Sequence, residues 1–154
     1  MSGKIERIRA YPAKGEAGRE LSEARLIENL GLEGDFHAAG GSRQISLLSA
    51  ANTTTRDFSG KSRDLTAEQR EKGLCFSRFR ENISISGISP NDLRPGARLE
   101  AGGAVLEITG EVKHCYEECV LYEAGTPCAL AGLSLFAMVK KGGVMRTGDS
   151  IEVC

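Results

Sequence analysis

Short runs in which apolar and polar residues alternate, separated by glycine, recur along the whole chain. The strand candidates are Lys4–Tyr11, Glu23–Glu28, Arg43–Leu48, Asn82–Ser86, Arg98–Ala101, Ala104–Thr109, Leu135–Lys140 and Ser150–Val153. Ile83-Ser84-Ile85-Ser86 and Val105-Leu106-Glu107-Ile108 carry the period-2 pattern and the β-branched side chains that suit a half-buried sheet. Nineteen glycines, many in GG, GD or GA pairs, supply turns between these runs. Gly102-Gly103 joins two strand candidates and predicts a tight hairpin. Helical signal is confined to two places. Thr66-Ala67-Glu68-Gln69 is a capping box that predicts a short polar helix with Gly73 placed to end it, and a second short helix is expected through Tyr116–Tyr122. Strands do not alternate with long helices, which argues against a doubly wound sheet. The expected fold is mainly β, barrel-like with closed edges and a few short helices, in one domain over residues 1–154. Ser59–Gln69, the most polar stretch, reads as a surface insertion.

Composition removes several function classes. At 154 residues, with 27% charged and 40% apolar residues, the chain is long enough to bury a core and has a soluble globular composition. A net charge of −1 and the lack of any dense Lys/Arg block give no footprint for nucleic acid. No segment approaches the length of a bilayer span, and MSGKIERIRAYPAKG has no apolar core of a secretion signal. Five cysteines is an odd number, so a fully paired disulfide framework is not expected. Reduced thiols in the cytoplasm are the expectation.

Four constellations carry candidate chemistry. Gly31-Leu32-Glu33-Gly34-Asp35-Phe36-His37, followed by Gly40-Gly41-Ser42-Arg43-Gln44, places Asp35, His37 and Arg43 on one glycine-flanked turn between strands. That is the layout of a loop-built site, and equally of a surface loop with an Asx-turn at Asp35 and a solvated Arg43. A lone imidazole is a poor metal signature. Arg78-Phe79-Arg80-Glu81-Asn82 enters a strand. Its guanidiniums and side-chain amide suit a phosphate or pterin, or form the charged start of that strand. Lys113–Cys128, KHCYEECVLYEAGTPC, holds Cys115, Cys119 and Cys128. Zinc is a weak match, because a second close ligand pair is lacking. A reactive Cys115 thiol fits better, since Lys113 and His114 favour a thiolate while Glu117 and Glu118 oppose it. Buried apolar cysteine is the third reading. Lys140–Asp149 has GG and GD turns but no phosphate-loop pattern, and reads as strand connections.

In order, GLEGDFH…GGSRQISLLS, FRENISISGI, LRPGARLEAGGAVLEIT, KHC-x3-C and FAMVKKGGVMRTGDSIEV resemble the MOSC domain family, named for the C-terminal domain of molybdenum cofactor sulfurases. The resemblance runs from about Ile5 to Val153 and is nearest the small stand-alone bacterial type. It implies a barrel-like β fold, sulfur carriage or transfer, and molybdenum cofactor chemistry in some members. It also implies a PLP-dependent cysteine desulfurase as a separate sulfur donor; nothing in this chain resembles a PLP lysine site of its own. Cys115 falls on the family's functional cysteine, where it would hold a persulfide or ligate molybdenum. Cys119 and Cys128 match the extra cysteines, expected to resolve a persulfide. Asp35, His37 and Arg43 fall on GD-x-H…R and Glu81 and Asn82 on F-x-E-N, lining one cleft for a small anionic or pterin ligand, with Arg80 and Lys113 beside them. The chain departs from the family at Ala129–Leu135, a run without charge, and at Met138, where arginine is usual.

Three functions follow as expectations: a sulfur carrier with a persulfide on Cys115, a molybdenum-cofactor reductase with Cys115 as metal ligand, and a non-catalytic module clasping an anion with Asp35, Arg43 and Asn82.

Overall fold

The computed structural model describes residues 1–13, 17–50, 81–111 and 134–154. The strands are β1 (Ser2–Ala10), β2 (Arg19–Leu21), β3 (Glu23–Ile27), β4 (Gly31–Leu32), β5 (Ile45–Ala50), β6 (Ile83–Ser86), β7 (Arg98–Ala101), β8 (Ala104–Ile108), β9 (Ser134–Lys141), β10 (Gly143–Arg146) and β11 (Ser150–Val153). The expected helices at Thr66 and at Tyr116–Tyr122 lie outside the described residues, as does the polar stretch Ser59–Gln69. Pro90–Asp92 forms a single 3-10 turn. Among the described residues, no helix is long and apolar enough to cross a membrane.

The main sheet runs β11-β7-β8-β9-β5-β6-β1, and β11 pairs back onto β1. The result is a closed seven-stranded barrel, as the alternating runs predict, and closure removes the free edges that an open sheet would expose. β2 extends the sheet from the far half of β1. All neighbours are antiparallel except β5 and β6, which run parallel. A parallel pair needs a crossover, and residues 51–80 lie within the connection that joins β5 to β6.

Alternation fills the interior. Ile45 and Leu47 of β5, Ile83 and Ile85 of β6, Leu99 of β7, Leu106 of β8, Ala137 and Val139 of β9 and Ile151 of β11 are buried in one cluster. Ile5 and Ile8 of β1 join it although they are three residues apart. A register shift between Ile5 and Arg7 absorbs the extra residue, so both side chains reach the same face.

A second sheet, β10-β3-β4, packs Ala24, Leu26, Leu32 and Met145 against the same core. β10 corrects the reading of Lys140–Asp149 as connections alone. Gly142 and the Thr147–Asp149 turn do flank it, but Gly143–Arg146 between them pairs with β3. Its one buried side chain, Met145, is too little alternation to announce a strand. The Gly102-Gly103 hairpin forms as expected between β7 and β8, with both residues at positive φ.

Candidate functional site at one rim of the barrel

One end of the barrel gathers the residues singled out in the described sequence. β1 ends there at Ala10 and Tyr11, Glu81 and Asn82 lead into β6, and Arg43 and Gln44 lead into β5; β8, which like β5 runs antiparallel to β9, runs out in the other direction through Thr109 to Glu111. Backbone hydrogen bonds tie the ends of β1, β6 and β5 in turn: Arg9 N–H to Asn82 O at 2.7 Å and Asn82 N–H to Ser46 O at 2.9 Å.

Asp35 closes the first motif onto the barrel. Gly34 turns the chain at a φ of 86° before it. The Asp35 side chain is fully buried, and its Oδ1 accepts the Tyr11 N–H at 2.7 Å. Its Oδ2 accepts the His37 N–H at 3.0 Å and lies 2.7 Å from His37 Nδ1. Burial alone pushes this carboxyl up. The His37 side-chain hydrogen bond and the backbone N–H bonds of Tyr11 and His37 outweigh it, leaving Asp35 below its ordinary value. An ionised carboxylate only accepts, so His37 Nδ1 carries the proton of that bond. The imidazole also stacks at a tilt on Phe36, with ring centroids 3.9 Å apart. An Asx-turn forms, as the sequence allows, and it also anchors the loop to β1.

Arg43 is half-exposed but held. Its Nε and Nη2 reach Glu111 Oε2 at 3.2 and 3.1 Å, Ser42 Oγ donates to Glu111 Oε1 at 2.9 Å, and the guanidinium lies 4.8 Å over the Phe136 ring. Glu81 receives Arg9 Nη1 at 3.4 Å. Asn82 is buried completely, and its amide is taken up by Ser46 and by the Arg9 carbonyl at 3.2 Å. Gln44, also buried, bridges Gly41 O and the Val139 N–H at 3.0 Å each.

The structure thus brings Asp35, His37, Arg43, Glu81 and Asn82 to one rim. Arg80, Lys113, Cys115, Cys119 and Cys128 lie outside the described residues. Tyr11, Gln44 and Ser46 belong to this rim, and Glu111 and Phe136 hold Arg43, without a clear sequence signal. Gln44 and Ser46 are polar residues alternating with Ile45 and Leu47, and all four are buried.

A closed seven-stranded barrel with an Asp–His loop and an Arg-bearing loop at one rim defines a recognisable class of β domain. The MOSC domain model matches residues 33–152, and the chain belongs to the MOSC domain family. No curated sequence relative matches it. The YuaD protein from Bacillus subtilis is similar in structure, with a TM-score of 0.64 and 20% identity over 99% of this chain and 96% of that one. YiiM from Escherichia coli aligns with a TM-score of 0.61 and 19% identity, covering 100% of this chain and 70% of that one. YiiM from Geobacillus stearothermophilus gives 0.57 and 14%, covering 99% and 75%. At these identities the likeness establishes the fold.

The family is linked to molybdenum cofactor biology. Binding an anionic pterin phosphate calls for cationic donors directed at it. Among the described residues, the rim arginines Arg9 and Arg43 each already face a carboxylate, and no group of three His, Cys, Asp or Glu is placed to hold a metal. The described part of the rim therefore does not form a cradle for that cofactor.

Proposed function

We propose that this protein carries or transfers sulfur, with Cys115 bearing a sulfane sulfur as a persulfide. The observation that supports this reading is where the cysteine-bearing stretch is rooted. It leaves the barrel after Glu111, which Ser42 and Arg43 hold, and returns at Ser134, the start of β9. Cys115 follows Glu111 by four residues, so chain geometry keeps their Cα atoms within about 14 Å. The working thiol is thus tethered within that distance of the Arg43–Glu111 pair.

A thiolate suits this role because it accepts sulfane sulfur and returns it by thiol exchange without a metal. Cys119 and Cys128 would resolve the persulfide, and a cysteine desulfurase would load it. The anion-clasp alternative finds little support at the rim: Asp35, Arg43 and Asn82, its three members, are each engaged with protein groups.

The test is intact-mass and peptide mapping after incubation with a cysteine desulfurase and cysteine. The expected result is a gain of about 32 Da on Cys115 that thiols remove and Cys115→Ser abolishes. An adduct elsewhere, or none, overturns the reading. Molybdenum copurifying in near-stoichiometric amount and lost in Cys115→Ser would instead establish the metal-ligand role.

A further inference from the structure

We draw no further inference here: the strongest candidate, the Asp35–His37 pair on the loop at the barrel rim, belongs to the site already described, and nothing among the described residues shows what the second ring nitrogen of His37 would act on.

Discussion

Asn82 and Ser46 are bound to each other through side chain and backbone alike. Asn82 Oδ1 accepts the Ser46 N–H at 3.0 Å and its Oγ–H at 3.1 Å, while Asn82 N–H reaches Ser46 Oγ at 3.0 Å. With Nδ2 on the Arg9 carbonyl, one buried amide joins β5, β6 and β1 where the parallel pair begins. Asn82→Ala leaves those groups buried without partners. We expect a loss of about 2–4 kcal/mol, read as a lower urea midpoint at unchanged m-value. A loss under about 1 kcal/mol, below the ~1–3 kcal/mol usual for one orphaned buried group, would mean that water replaces the amide.

Asp35 predicts a pH dependence of stability. Its folded-state value lies below the ordinary 3.8, so its contribution is complete above the unfolded value and is lost as pH falls through the folded one. Asp35→Asn keeps an acceptor for Tyr11 but turns an amide N–H toward the His37 N–H. The variant should be less stable by about 1–3 kcal/mol near neutrality. Denaturation curves for both proteins should converge as the pH drops below 3.8 and further, and a pH-independent gap would contradict the assignment.

Gly102 and Gly103 look equivalent in sequence but are not. Both have positive φ, 57° and 79°. A Cβ on Gly102 would overlap the Val144 carbonyl oxygen of β10, whereas one on Gly103 meets nothing. Gly103→Ala should cost only the left-handed backbone penalty of about 1–2 kcal/mol. Gly102→Ala must also push the small sheet off the hairpin, so its melting temperature should fall well below that of Gly103→Ala. Equal shifts would mean that β10 yields freely.

The contrast shows what the sequence made legible. Arg98–Ala101 and Ser150–Val153 coincide with β7 and β11, and the other expected strands differ only at their ends; β3, β6, β7, β8 and β11 alternate a buried with a less buried face. Arg19–Leu21 and Gly31–Leu32 escaped detection because they are three and two residues long, too short for any period. The motif GD-x-H identified Asp35 and His37. What the carboxylate does depends on Tyr11, 24 residues away, and on a closed barrel that brings the two together. Glu111 gave no signal at all, since its partners Ser42 and Arg43 lie 69 and 68 residues upstream.

Glu111 holds the rim arginine, and releasing it should change what the rim attracts. Arg43 and Glu111 keep 49% and 39% of their side-chain surface exposed, so water screens the pair and Glu111→Gln should cost less than about 1 kcal/mol of stability. The same substitution removes a negative charge beside a guanidinium that Phe136 continues to support from below. Affinity for a small phosphate monoester, measured by NMR titration, should therefore rise about threefold to tenfold over wild type. Raising the salt should shrink that gain, because exposed charges are screened over a Debye length of about 10 Å or less. The Arg43→Ala, Glu111→Gln double variant should return to wild-type affinity or below. If Glu111→Gln gains nothing, the carboxylate is not what keeps anions from Arg43, and the charge balance at the rim is set by other groups.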